Sequence, residues 1–124
     1  DNRKINYYKI IEKIEKDPRN TFLSFPKKDD NTDAIWFGII LFLNDSIKLT
    51  NYLEYLTKNS VENRPIISGN FVRQPVIKDL YPELNASDFP GAEVCHFNGL
   101  FIGLSSNLMS DELINELVEI LLGF

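Results

Sequence analysis

Ile35-Trp36-Phe37-Gly38-Ile39-Ile40-Leu41-Phe42-Leu43 is the longest apolar run of the chain, and its reading decides the fold. The run falls far short of the roughly 20 residues that span a bilayer. Its aromatic and β-branched content, closed by the turn-forming Asn44-Asp45-Ser46, predicts a buried central strand from Ala34 to Leu43. A second short apolar run, Thr21 to Phe25, precedes it across Pro26 and the polar stretch 27–33, so the two are expected to pair antiparallel.

On the amino-terminal side, residues 3 to about 16 read as an amphipathic helix. Ile5, Tyr8, Ile11 and Ile14 are expected on its apolar face and Lys4, Lys9, Lys13 and Lys16 on its wet face, with Asp17-Pro18 as the stop. On the other side, Leu49, Tyr52, Leu53 and Leu56 make the apolar stripe of a helix over 49–59, with Thr50 as its expected cap. A strand at Arg64 to Ile67 follows, then the break Ser68-Gly69-Asn70, a turn or two of helix over 75–80, and a loop between Pro82 and Pro90. Phe89-Pro90-Gly91-Ala92-Glu93 opens a helix to about Asn98, where Gly99 is expected to end it at positive φ. Leu100 to Leu104 is a short strand and 105–109 a loop. Ser110 caps a last helix with Asp111 and Glu112 favourably placed against its dipole and Leu113, Leu117, Ile120 and Leu121 as its core face.

These elements predict an α+β fold: a small, mostly antiparallel sheet covered by helices, forming a single domain over 1–124. With 124 residues, 44% of them apolar and 12% aromatic, the chain suffices for one hydrophobic core. It opens without Met and directly in a helical pattern, which reads as a piece cut from a longer chain near the start of a long helix.

Charge and motifs exclude several functions. Lys+Arg 13 against Asp+Glu 18 gives a net charge of −5 with no basic stripe, so nucleic acid is not an expected partner, and neither is a membrane. A single cysteine, Cys95, fits a reducing compartment, and a cytoplasmic location is expected. The one Cys and one His, adjacent at 95 and 96, do not converge as zinc ligands do. Neither G-x-G-x-x-G nor a Walker A sequence occurs, and Gly103-Leu104-Ser105-Ser106-Asn107 lacks the second glycine of a nucleophile elbow. His96, with an ordinary pKa of about 6.5, would serve as an acid or base or as a half-buried structural group. No lysine sits in the apolar setting that Schiff-base chemistry needs, so no catalytic residue is assigned.

One segment has the composition of a binding site: Arg64-Pro65-Ile66-Ile67-Ser68-Gly69-Asn70-Phe71-Val72-Arg73. Positive φ at the glycine would turn successive N–H groups of Ser68, Gly69 and Asn70 toward one point, and Arg64 and Arg73 flank it with planar forks suited to carboxylate or phosphate. A surface turn with two solvated arginines is the plainer reading of the same residues.

Asn63 to Phe71, Phe89-Pro90-Gly91-Ala92-Glu93 and Asn98-Gly99-Leu100-Phe101-Ile102-Gly103 together resemble the carboxy-terminal region of the DegT/DnrJ/EryC1/StrS enzymes. Arg3, Asn6 and Tyr8, Trp36-Phe37-Gly38, and Leu108 to Leu121 add to the likeness, which runs over nearly the whole chain. Leu104-Ser105-Ser106-Asn107 departs from it, since a His- or Pro-containing sequence would be expected there. The resemblance implies the small domain of a fold-type I, aspartate-aminotransferase-like enzyme that aminates or 3-dehydrates a nucleotide-linked 4-keto-6-deoxy sugar in lipopolysaccharide O-antigen assembly. It further implies pyridoxal phosphate held by a large domain of the same chain, glutamate as cosubstrate, and a homodimer. The Schiff-base lysine, or the histidine that replaces it in the dehydrase branch, would belong to that large domain. Ser68, Gly69, Asn70 and Arg73 would then face the cofactor and the sugar substrate, and Arg64 or Arg73 would meet an anionic group such as a cosubstrate carboxylate or a nucleotide phosphate. The other class that the residues allow is a non-enzymatic α/β binding or interaction module.

Overall fold

Side-chain alternation along the central strand sorts the sheet into two faces. In the computed structural model, which describes residues 2–27, 29 and 31–124, four antiparallel strands, β1 (Leu23–Ser24), β2 (Gly38–Leu43), β3 (Asn63–Pro65) and β4 (Gly99–Gly103), lie in the order β1-β2-β4-β3. Ile39 and Leu41 stand opposite Ile102 and Leu100 and point to the inner face. Gly38, Ile40 and Phe42, opposite Gly103, Phe101 and Gly99, point to the outer one.

Three helices cover the inner face: α1 (Asn2–Lys16), α2 (Leu49–Lys58) and α5 (Asp111–Leu122). Tyr7, Ile10 and Ile14 of α1, Tyr52 and Leu56 of α2, and Ile114, Val118 and Leu121 of α5 join the inward strand residues in one hydrophobic core. Tyr52 is buried, and its hydroxyl donates to the Leu121 carbonyl at 2.7 Å, so burial adds no unpaired polar group. Arg19 braces the far end of the layer: its guanidinium donates to both carboxylate oxygens of Glu119 at 2.8 and 2.7 Å and to Asp17.

Between β3 and β4 the chain makes a separate excursion, 66–98, through two short 3-10 turns (Phe71–Arg73 and Ala86–Asp88) and the helices α3 (Pro75–Leu80) and α4 (Pro90–Asn98). It lies over the outer face. A Cβ at outward-facing Gly99 would sit 2.4 Å from Ile66 Cδ1 and 2.7 Å from the Cys95 carbonyl, and α4 packs on β2 and β4. None of the core cluster comes from this excursion.

The fold class is as expected, and several elements differ in detail. The central strand begins at Gly38 rather than Ala34: its pairing with β4 ends at Gly38 opposite Gly103, with a last bond from Leu104 N–H to the Phe37 carbonyl. The first strand is Leu23–Ser24 only, and the third is Asn63–Pro65 rather than 64–67, since the chain turns at Ile66. Thr50 is already helical and Lys48 holds the cap position without a side-chain bond. Gly99 ends no helix at positive φ. Its φ is −92°, it is the first residue of β4, and it is small because α4 and Ile66 leave no room for a side chain. Helices α1 and α5 meet their expected faces in part: Ile11, Ile14 and Leu121 are buried and Leu117 and Ile120 pack on the core as expected, but Ile5, Tyr8 and Leu113 are exposed, whereas Tyr7, Ile10, Ile114 and Val118 are buried as well. Packing of α1 on α5 fixes how far each apolar face is turned toward the core. The Ser110 cap formed, with its side chain accepting from Leu113 N–H at 3.2 Å. Within the polar connection 27–33, Lys28 and Asp30 lie outside the described residues, as does Asp1. Among the described residues no helix is long and apolar enough to cross a membrane.

Candidate functional site

The register of β3 places Arg64 opposite Phe101, on the outer face of the sheet. A cavity of about 230 Å³ opens there, lined by Trp36, Phe37, Arg64, Ile67 and Phe101. Phe37 packs on Phe101 at 5.0 Å between ring centroids, yet remains 70% exposed, and Ile67 is 86% exposed. Arg64 bonds Glu62 at 2.7 Å through one nitrogen, and both side chains are largely exposed, so the contact contributes little and leaves most of the fork accessible.

Past β3 the chain turns sharply. Gly69 N–H donates to the Ile66 carbonyl at 3.0 Å, with Ser68 at φ 64° and Gly69 at φ 48°. Positive φ is costly for serine, and two successive residues in that region persist only where the surroundings hold them. The glycine is required twice over, because a Cβ there would also approach His96 Nδ1 at 2.6 Å and His96 Cα at 2.8 Å. Half-buried His96 therefore packs on the turn as a structural neighbour.

Asn70 and Arg73, expected as binding groups, are brought together by a third residue that the sequence reading did not assign to the site, Glu93 on α4. Asn70 is 1% exposed; its Nδ2 donates to the Ala86 carbonyl at 2.9 Å and to Glu93 Oε1 at 2.6 Å, and its Oδ1 accepts from Val72 N–H at 3.1 Å. Arg73 donates from Nε to Glu93 Oε1 at 2.7 Å and from Nη2 to Oε2 at 2.6 Å, with its guanidinium carbon 4.8 Å from the centroid of the Phe97 ring. The Arg73 fork, with help from Asn70, holds the Glu93 carboxyl down at about 2. Of the expected site residues, Arg64 and Ser68 are thus exposed, Gly69 shapes the turn, and Asn70 and Arg73 are engaged internally. Glu93 stands twenty residues beyond Arg73 in sequence, and a helix-opening glutamate carries no signal of a distant arginine.

The loop 104–109, which includes Leu104-Ser105-Ser106-Asn107, is anchored from α1. Asn6 is fully buried, donates to the carbonyls of Ser105 and Asn107 at 3.2 and 2.8 Å, and accepts from Met109 N–H at 3.0 Å. Among the described residues no three of His, Cys, Asp and Glu are placed to hold a metal ion.

No protein-family model matches the chain. It is similar to GDP-4-keto-6-deoxy-D-mannose 3-dehydratase of Yersinia pseudotuberculosis, with 28% identity over 102 residues, 78% of this chain and 26% of the relative. Among solved structures it resembles the E. coli GDP-4-keto-6-deoxy-D-mannose 3-dehydratase with bound hydrated pyridoxal phosphate, with a TM-score of 0.77 and 25% identity over 97% of this chain. A variant of the same dehydratase, ColD, holding GDP-perosamine gives a TM-score of 0.77 at 26% identity, and another structure, with a trapped PLP-glutamate geminal diamine, gives 0.75 at 25%. The chain spans about a quarter of the curated relative and 30% of each of these structures, so the α+β fold seen here is that of one part of a pyridoxal-phosphate-dependent dehydratase.

Proposed function

We propose that this chain is the carboxy-terminal small domain, over 1–124, of a longer cytoplasmic enzyme that uses pyridoxal phosphate to remove the 3-hydroxyl of a GDP-linked 4-keto-6-deoxy sugar, with glutamate as cosubstrate. The observation that carries the reading is the likeness of 97% of the chain to a cofactor-bound 3-dehydratase at a TM-score of 0.77. Lipopolysaccharide sugar synthesis is the setting that this substrate class suggests, and a homodimer the assembly.

In this reading pyridoxal phosphate supplies the electron sink and is held by the large domain. The residues here suit a wall of the cleft better than a cofactor cradle. Lys9 and Lys16 are committed to Asp111 and Glu12, and Lys4 to Asp33, all near the surface. Arg64 offers an accessible fork beside an apolar, aromatic-lined cavity, an arrangement suited to an anionic group attached to a flat or apolar body. Ser68 and Gly69 present the turn next to it, while Asn70 and Arg73 contribute by holding that turn. The excursion exposes Ile67, Phe71, Val76, Leu80 and Phe97, each more than half exposed, and the large domain is the surface proposed to cover them.

The test is the absorbance spectrum of the full-length protein with pyridoxal phosphate before and after borohydride, followed by mass spectrometry. Bound cofactor with no reduced lysine adduct is the expected result. A lysine adduct would place the protein in the aminating branch instead, and absence of cofactor binding would favour a non-enzymatic interaction module.

A further inference from the structure

The excursion 66–98 holds its shape without a hydrophobic core. Its 3-10 turns and its helices α3 and α4 bury no side chain, and the one buried residue within it is Asn70. Cohesion comes from polar contacts converging on Glu93. One carboxylate oxygen accepts from both Asn70 and Arg73 Nε, the other from Arg73 Nη2. The same Asn70 reaches Ala86, so a single cluster ties the first 3-10 turn, the second and α4 together, directly after the turn at Ser68 and Gly69. A bidentate arginine–carboxylate pair fixes direction as well as distance, and a turn held at positive φ depends on such fixing.

We propose that Glu93 is a positioning residue: with Asn70 and Arg73 it forms a polar clamp that holds the Ser68–Gly69 turn, and so the wall beside Arg64, in the geometry that receives the nucleotide-linked sugar. The role of the clamp in binding rests on the function proposed above, whereas its hold on the turn does not. The clamp also lies outside the core cluster, so loosening it leaves the sheet and its three inner helices intact.

The test uses the full-length protein carrying Glu93→Gln, with Arg73→Lys as a second variant in case the first does not accumulate in folded form. Amide hydrogen exchange is measured by peptide, and steady-state kinetics with GDP-4-keto-6-deoxy-D-mannose. Exchange is expected to rise over 68–73 and 90–97 and to stay unchanged over β2, β4 and α5, with cofactor binding retained. KM is expected to rise about tenfold or more while kcat moves far less, as misplacement of a substrate-orienting wall predicts. Unchanged exchange in the variants overturns the clamp, and raised exchange with unchanged KM overturns its positioning role. Faster exchange through the whole core together with loss of cofactor would make Glu93 a folding residue and also overturn it. A wild-type enzyme that binds cofactor but turns over no nucleotide-linked keto-sugar would instead refute the functional reading, and the role in binding with it, while the exchange data would still report on the clamp.

Discussion

Asn6 and Tyr52 show how single polar groups are accommodated inside this molecule. Asn6 satisfies three backbone groups of the loop 105–109 from a fully buried position, a role that the periodicity of α1 did not indicate. Replacing it by Leu keeps the volume and strands those groups, so chemical denaturation should report a loss of about 1–3 kcal/mol, with faster exchange at Met109. Tyr52 is buried with its hydroxyl on the Leu121 carbonyl, and burial raises its pKa. Tyr52→Phe removes the donor and leaves that carbonyl unpaired, for which a loss of about 1–2 kcal/mol in thermal unfolding is expected. Gly69→Ala adds a methyl group against the His96 backbone at a residue with φ 48°, and it should displace the turn at a cost of about 1–3 kcal/mol. Its signature would be a chemical-shift change at His96.

At the scale of elements, ion pairs fasten what hydrophobic packing leaves loose. The Arg19 guanidinium holds Asp17 at about 2 and links the end of α1 to α5 through Glu119, while the Arg73 guanidinium holds Glu93 at about 2 and closes the excursion. Both carboxyls are depressed in the folded state, so their contribution is fully present above the ordinary carboxylate range. It is lost as pH falls from there toward about 2. Amide exchange followed from pH 6 to pH 2 should therefore show the excursion and the α1–α5 junction loosening in that acid window. Glu93→Gln should flatten the response at 66–98 alone, and Asp17→Asn the response at the end of α1. An excursion equally protected at both pH limits would contradict this account.

Across the whole molecule, the two faces of the sheet have opposite fates. The inner face holds the core, and truncation there, as in Leu41→Ala, should cost about 2–5 kcal/mol by the usual cavity effect. The outer face carries Arg64, the aromatic cavity and an excursion rich in exposed apolar residues. Substitution of Arg64 by Ala should leave the free energy of unfolding within about 0.5 kcal/mol of the parent, as for an exposed residue without buried partners. On the function proposed above, it should weaken binding of the nucleotide-linked sugar by the full-length protein. Unaltered kinetics in a folded Arg64→Ala variant would remove this face from the proposed site.

The residues by themselves determined the α+β class, the antiparallel central strand and the Ser110 cap, because alternation, β-branched content and capping are local signals. The quoted motifs also carried the resemblance to nucleotide-sugar enzymes that the 3-dehydratase structures share in fold. Only the tertiary structure decided how far α1 and α5 turn, burying Tyr7, Ile10, Ile114 and Val118 and leaving Ile5, Tyr8 and Leu113 exposed, since helical periodicity permits either rotation and packing sets it. It likewise decided that Gly99 is small for lack of space rather than for its φ. It also brought Asn70 and Arg73 onto Glu93, a contact that sequence hides because the length of an intervening loop carries no information about which charges will meet.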